Sequence, residues 1–119
     1  MQWTYRIDMR IGGSGANMRE HWAVKMRRVR TERAMAKIAT IAAIGHRIAA
    51  GELDGRVDIT MCVYRRRKPD DDNIVGACKA IRDGIADALR TNDGDPRLTW
   101  RAEYAVGPKH FVEVTIYAR

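Results

Sequence analysis

Cysteine and proline are both scarce in this sequence. The 119 residues include two cysteines, Cys62 and Cys78, and three prolines. Two cysteines are too few for a disulfide scaffold and too isolated for a cysteine-based zinc site, so both are predicted to be small buried hydrophobes. Repeats, low-complexity tracts and proline-rich linkers are also missing. The length then predicts one domain over residues 1–119.

Long apolar runs are missing too. No segment approaches the roughly 18 apolar residues that a membrane span needs. The first residues, Met1–Arg6, lack the apolar stretch of a signal peptide. We therefore expect a cytoplasmic protein with no membrane partner.

Positive charge, by contrast, is in excess. The chain has 22 Lys and Arg against 15 Asp and Glu, a formal charge of +7 and a pI of about 9.9. Such a domain favours polyanionic partners, and nucleic acid is the commonest of these. A solvated basic surface is the alternative that charge alone leaves open. Two basic groups are candidate DNA contacts: Arg27, Arg28 and Arg30 on a predicted helix, and Arg65, Arg66, Arg67 and Lys68 after a predicted strand.

Hydrophobic periodicity predicts the element order β-α-β-α-β-β. The elements are a strand over Trp3–Met9, a helix capped by Asn17, a strand over Val57–Tyr64, a helix from Asn73 to about Leu89, and strands over Leu98–Val106 and Phe111–Tyr117. Gly51 is expected to end the first helix. The last two strands are predicted to form a hairpin through Gly107–Pro108. This order predicts an α+β fold, with helices packed on one four-stranded mixed sheet.

Two acidic clusters bracket the second predicted helix: Asp70, Asp71 and Asp72 before it, and Asp93 and Asp95 after it. Phosphodiester hydrolysis needs neutralised phosphoryl charge and activated water, which carboxylate-bound Mg²⁺ supplies. Helix capping explains one aspartate but not three in a row. The helix between the clusters would be roughly 25 Å long. The clusters can therefore meet only if the chain folds back or the helix is shorter.

Lys79 is predicted to lie on the same side of the helix as Asp72. A lysine at this position could hold the scissile phosphate or offset developing charge. The alternative is an exposed lysine that pairs with Asp83 one turn later. Spacing alone favours this alternative.

Three segments together resemble the RusA family of Holliday junction resolvases: Pro69–Asn73, Lys79–Leu89 and Asn92–Asp95. The family pattern is Asp-x-Asp-Asn, a lysine on the following helix, and an acidic pair before a strand. The segment Asn17–Trp22 and the basic helix after it are similar to the family's opening. The resemblance thus extends over nearly the whole chain.

The resemblance implies a RusA-like, homodimeric endonuclease that uses Mg²⁺, or Mn²⁺ in its place. Such enzymes place paired symmetric nicks in four-way DNA junctions during recombination and repair, and are typical of phages and prophages. Asp70 and Asp72 match the first two metal-binding aspartates of the family. Asp95 is the best match for the third, with Asp93 as its competitor, and Lys79 matches the catalytic lysine.

The sequence departs from the family pattern at two places. In the best-known member the lysine comes earlier on the helix, and this sequence has Gly76 at that earlier position. Gly94 also splits the acidic pair. Two other functions stay open: a non-catalytic nucleic-acid-binding module, and a structure-selective nuclease for another branched substrate. Most of the eight aromatic residues follow core patterns, which disfavours a single-strand binder. The histidines are predicted to be structural: His21, His46 and His110.

Overall fold

The computed structural model describes residues 1–11, 22–68 and 73–119. Their elements are β1 (Gln2–Ile7), α1 (Trp22–Ala49), β2 (Val57–Arg65), α2 (Ile74–Ala77), α3 (Lys79–Ala88), β3 (Leu98–Val106) and β4 (Phe111–Ala118). The strands form one open sheet in the order β1-β4-β2-β3. Strand β4 is antiparallel to both of its neighbours, whereas β2 and β3 are parallel. This mixed sheet with its helices confirms the predicted α+β class.

The predicted hairpin between the last two strands is wrong. Strands β3 and β4 lie on opposite sides of β2, and their connection passes over the end of β2. The Gly107 N–H donates to the Arg65 carbonyl at 2.9 Å, and Arg66 Nε donates to the Pro108 carbonyl at 3.2 Å. On the edge strand β3 only Leu98 is buried, whereas every second residue of the central strand β4 is covered. The covered residues are Val112, Val114, Ile116 and Ala118.

The second predicted helix is broken into α2 and α3 at Cys78. The backbone of Cys78 has φ −92° and ψ 0°, which interrupts the helix, and its side chain is fully buried. Helix α2 is a single turn, with Asn73 as its N-cap. The Asn73 side chain accepts a hydrogen bond from Gly76 N at 3.1 Å, and a Cβ at Gly76 would lie 2.6 Å from Asn73 Nδ2. Gly76 is therefore required for this cap.

The two cysteines have different environments. Burial raises the pKa of the Cys78 thiol to about 12, with Glu32 adding to the effect. Cys78 is thus the inert core residue that the sequence predicts. Cys62 lies on the face of the sheet that the helices leave open, and it is only half-buried. The prediction of burial is wrong for Cys62, because alternate β2 residues point away from the core.

Helix α1 packs closely against α3 at a glycine. A Cβ at Gly84 would lie 2.2 Å from the Arg33 carbonyl oxygen and 2.7 Å from Ala36 Cβ, so only glycine fits there. Arg33 and Asp87 join the same two helices through bonds of 2.7 and 2.9 Å. Gly51 has φ +79° just beyond the last residue of α1, as predicted for the helix stop. The predicted cap at Asn17 lies outside the described residues.

Within residues 1–11, 22–68 and 73–119, no helix combines the length and the apolar character needed to cross a membrane.

Candidate active site

Lys79 lies between two carboxylates at the start of α3. Its Nζ donates to Asp83 Oδ1 at 2.9 Å and to Asp93 Oδ2 at 2.6 Å. The pairing with Asp83 is the i,i+4 contact expected from spacing. The pairing with Asp93 joins residues 14 positions apart, which spacing along a helix does not predict. Lys79 therefore belongs to a charged cluster rather than to an isolated helix surface.

The segment after α3 folds back along the helix to bring Asp93 to Lys79. Trp100 Nε1 donates to the Asp93 carbonyl at 2.9 Å, which anchors the segment to β3. Helix α3 is also shorter than predicted, with 10 residues, or roughly 15 Å. The fold-back and the shorter helix together bring Asp93 to the start of α3, whereas the first acidic cluster, Asp70–Asp72, lies outside the described residues.

Arg82 is a second cation on Asp93 that sequence reasoning missed. Its guanidinium lies 3.5 Å from the Asp93 carboxylate and 5.1 Å from the centre of the Trp100 ring. Arg82 follows Lys79 by three residues on α3, so the i,i+3 spacing was the signal that could have found it. Together, Lys79 and Arg82 hold the Asp93 side chain from one side of the helix.

These contacts determine the protonation states of Lys79 and Asp93. The hydrogen bond from Lys79 holds the pKa of Asp93 below its ordinary value of 3.8. Hydrogen bonds to Asp93 and then to Asp83 raise the pKa of Lys79 above 10.5. At neutral pH, Asp93 is therefore a carboxylate and Lys79 an ammonium. Lys79 can offset negative charge but cannot act as a base at this pH.

Asp95 has a different set of partners. Its Oδ1 accepts from Arg97 N at 3.0 Å, and its Oδ2 accepts from Thr91 Oγ1 at 2.7 Å and from Arg97 Nε at 3.0 Å. Arg97 also donates to the Leu53 carbonyl, which ties this loop to the segment before β2. The backbone N–H of Arg97 and then Thr91 lower the pKa of Asp95. Asp95 organises the loop that leads into β3.

The two aspartates of the Asp-x-Asp-Asn pattern, Asp70 and Asp72, lie outside the described residues. Within the described ranges, no three His, Cys, Asp or Glu side chains are grouped as a metal site. Asp83 and Asp93 nevertheless converge on one cation, the Lys79 ammonium. Their oxygens are hard ligands of the kind that Mg²⁺ accepts, and it commonly takes only one or two carboxylates. The donor chemistry therefore fits Mg²⁺.

The basic residues at the end of β2 and just after it divide into an inward residue and an outward group. Arg65 is half-buried, donates to the Ile11 carbonyl and lies 5.9 Å from the centre of the Tyr104 ring. Arg66, Arg67 and Lys68 are exposed. Of the four predicted DNA contacts in this segment, the last three have the accessibility that phosphate contact requires.

The basic residues of α1 divide in the same way. Arg28 is half-buried and pairs at 3.1 Å with Glu32, a carboxylate that is only 1% exposed. Arg27 and Arg30 are exposed. A buried carboxylate needs a cation close by, so Arg28 has a structural role on α1. Arg27 and Arg30 remain available to a polyanion.

Comparisons with known proteins identify a relative but no family. No protein-family model matches the chain. An uncharacterised protein from Xylella fastidiosa (strain Temecula1 / ATCC 700964) is 37% identical over 79 residues, which cover 65% of this chain and 51% of that protein. The chain thus spans about half the length of the curated relative that it matches, whose description names no activity.

Proposed function

We propose that this chain is a Mg²⁺-dependent endodeoxyribonuclease of the RusA type that resolves four-way DNA junctions by paired symmetric nicks. The observation that carries the proposal is the Lys79–Asp93 pair at the start of α3, six residues after Asn73 of the Asp-x-Asp-Asn pattern. A lysine and a distant carboxylate meet on the helix that follows the pattern, and we assign them as the phosphate-binding cation and a metal ligand. A cytoplasmic location and a single endonuclease domain are part of the proposal.

Asp70, Asp72 and Asp93 are the proposed ligands of Mg²⁺, or of Mn²⁺ in its place. Asp93 is preferred to Asp95 because its carboxylate contacts Lys79, whereas both oxygens of Asp95 are used within its own loop. When bound, the metal supplies neutralisation of phosphoryl charge and activation of water. Lys79, held as an ammonium by Asp83 and Asp93, offsets the charge that develops on the phosphate. Arg82 keeps Asp93 in position.

Exposed basic residues supply the affinity for DNA. We assign this role to Arg66, Arg67 and Lys68 beside the proposed site, and to Arg27 and Arg30 on α1. Contacts with phosphates position a duplex without reading its sequence, and their strength falls as salt rises. Arg28 and Arg65 support this surface from inside.

The active form is proposed to be a homodimer, in which each protomer cuts one of two equivalent strands. The outer face of α1, defined here as Ala34, Ile38, Ile41 and Ala42, supports this assembly. These residues repeat at helical spacing, all are exposed, and Ile38 is 61% exposed. A second copy that packs antiparallel on this face would keep the basic first halves of the two helices at opposite ends. Because each chain has a formal charge of +7, this separation reduces the electrostatic repulsion between the two protomers.

The proposal is tested with a synthetic four-way junction and a linear duplex of matched sequence, each incubated with Mg²⁺ or with EDTA. We expect symmetric nicks in the junction only, and only with Mg²⁺. The Asp72→Asn variant should bind the junction as the wild type does but should not cut it. Salt-sensitive binding without cleavage would instead favour a non-catalytic nucleic-acid-binding module. Cleavage of flaps in preference to junctions would indicate a nuclease for another branched substrate.

A further inference from the structure

Three planar groups are stacked on the open face of the sheet. Phe111 on β4 lies opposite Tyr64 on β2, with ring centres 4.4 Å apart and planes 13° apart. Arg6 on β1 places its guanidinium carbon 3.9 Å from the centre of the Phe111 ring. Because β4 lies between β1 and β2, the stack runs across the sheet in the order Arg6, Phe111, Tyr64.

The stack ends at Tyr64 beside small residues. The residue opposite Tyr64 on the edge strand β3 is Ala105, whose side chain is a single methyl group. Gly107 lies against the edge of the ring, and a Cβ there would be 3.3 Å from Tyr64 Cδ1. A fourth planar group that stacked on Tyr64 above Ala105 would therefore continue the existing series. Every nucleobase has a flat face that can do this.

Charge is distributed unequally around the end of the stack. The exposed side chains of Arg66, Arg67 and Lys68 follow Tyr64 closely in the chain, and Arg66 is fixed to the Pro108 carbonyl in the connection that precedes Phe111. Two carboxylates, Glu103 and Glu113, lie further along the open face, on either side of Cys62. Positive charge is thus concentrated at the end of β2, whereas in the middle of the sheet the carboxylates lie near Arg6 and Arg101.

We propose that this end of the open face, defined by Tyr64, Ala105 and Gly107, binds one unpaired DNA base by stacking, with the neighbouring phosphates held by Arg66, Arg67 and Lys68. The inference rests on the proposed function in taking DNA as the partner, and it adds a preference for DNA with unpaired bases. A base within a duplex is already stacked on both sides, so the site selects strands with unpaired or unstacked bases. Branched DNA can expose such bases at its branch point.

The test measures binding by fluorescence anisotropy in EDTA, where cleavage does not contribute. The probes are a labelled single-stranded dodecamer of thymidine and a blunt duplex of the same length. We expect Tyr64→Leu to weaken single-strand binding roughly tenfold to a hundredfold, as the loss of one base–aromatic stack does, and to leave duplex binding unchanged. Tyr64→Phe should bind as the wild type does, because the ring is kept.

Tyr117→Leu is the matched control. Tyr117 lies on the same face of the sheet at its other end, next to Asp58, and is 44% exposed. The same loss of a ring there should not alter single-strand binding. An equal effect of the Tyr64 and Tyr117 substitutions on single-strand binding would overturn the proposal, and so would a wild type that binds both DNAs with the same affinity.

A second variant, Ala105→Phe, keeps Tyr64 and covers its ring with a protein side chain. It should weaken single-strand binding to the same extent as Tyr64→Leu, which separates loss of the stacking site from misfolding of that variant. A strand with one 2-aminopurine should also lose fluorescence on wild-type protein but not on Ala105→Phe. If these binding effects occur without any Mg²⁺-dependent cleavage, the stacking site stands and the nuclease proposal fails. If Mg²⁺-dependent cleavage occurs without these binding effects, the nuclease proposal stands and the stacking site fails.

Discussion

Two aspartates separated by one glycine, Asp93 and Asp95, differ entirely in their partners. Asp93 contacts a lysine and an arginine of α3, whereas Asp95 closes hydrogen bonds within its own loop. Both have lowered pKa values, so both are ionised at neutral pH. Their roles therefore depend on contacts rather than on protonation. This difference can be tested with isosteric substitutions.

Asp93→Asn should reduce Mg²⁺-dependent junction cleavage by at least about a hundredfold, because an amide is a weaker ligand than a carboxylate. Its free energy of unfolding should change by less than about 1 kcal/mol, since its shortest contact is with Lys79, whose side chain is 57% exposed. Asp95→Asn should instead lower the midpoint of urea unfolding more than Asp93→Asn does, through weaker bonds to Arg97 and Thr91. Cleavage by folded Asp95→Asn should be nearly normal. The reverse pattern would make Asp95 the third ligand.

The pH dependence of unfolding stability gives a second test of the role of Asp95. Its folded-state pKa lies below the ordinary 3.8, so its stabilising contribution is complete above that value. The contribution is lost as the pH falls through the lowered pKa. The gap in stability between wild type and Asp95→Asn should therefore narrow in this acidic range.

Lys79→Gln should reduce cleavage on the order of a hundredfold to a thousandfold, as expected when one charge-stabilising donor is removed from a reacting centre. Junction binding in EDTA should be nearly unchanged, because one exposed lysine adds little to total phosphate contact. Lys79→Arg keeps the positive charge and should recover part of the rate. Since the pKa of Lys79 is raised above 10.5, cleavage should not fall through its deprotonation below that pH. A Lys79→Gln enzyme with the wild-type rate would remove Lys79 from the mechanism.

The contact between α1 and α3 depends on one residue without a side chain, Gly84. Because Arg33 and Ala36 of α1 approach so closely there, the helices hold Lys79 and Asp83 in a defined position relative to the sheet. The same element pair is joined by Arg33 and Asp87 at the surface. The candidate site thus rests on a helix that cannot shift without losing this packing.

Gly84→Ala should destabilise the fold by about 1–3 kcal/mol, although alanine favours helix formation. The steric cost outweighs propensity because the nearest atom is a backbone oxygen that has no freedom to move away. Gly55→Ala, where the nearest atom lies 3.7 Å away, is the control and should change stability by less than about 0.5 kcal/mol. Urea unfolding with linear extrapolation measures both. Equal values for the two variants would contradict the close approach.

At the scale of the whole molecule, α1 has apolar residues on both its covered and its outer sides. Ala36 and Ile44 are fully buried, with Ala36 against Gly84 of α3, whereas Ile38 and Ile41 are exposed. A helix that is apolar on opposite sides is usually covered on both. The second cover is the partner protomer in our proposal.

Sedimentation equilibrium should therefore give a mass of twice 13.5 kDa for the wild type. Ile38→Glu should shift the protein to monomer, because two like charges would meet near the two-fold axis. Val106→Glu adds the same charge at an equally exposed position, 64%, outside α1, and should remain a dimer. A monomeric wild type, or a dimeric Ile38→Glu variant, would rule out this interface.

Several features followed from the sequence because they depend on neighbours along the chain. Alternation in Val57–Val63 and helical spacing in α1 record which side of each element is buried, and these predictions held for the α+β class and the single mixed sheet. Cys78, with its apolar helical neighbours, was predicted as a core residue for the same reason. The acidic and basic clusters were also visible, since charge is a property of composition.

Other features were decided only by the tertiary structure. Periodicity shows which face of a strand is covered but not which strand lies beside it, so the position of β4 between β1 and β2 could not be read from Gly107–Pro108. Distance along the chain does not fix distance across a loop, so the sequence favoured Asp95 over Asp93, and only the tertiary structure brings Asp93 to Lys79. In the sequence, Arg28 and Arg65 could not be told apart from their exposed neighbours. Their partners, the buried Glu32 carboxylate and the Ile11 carbonyl, become apparent only when the chain is packed.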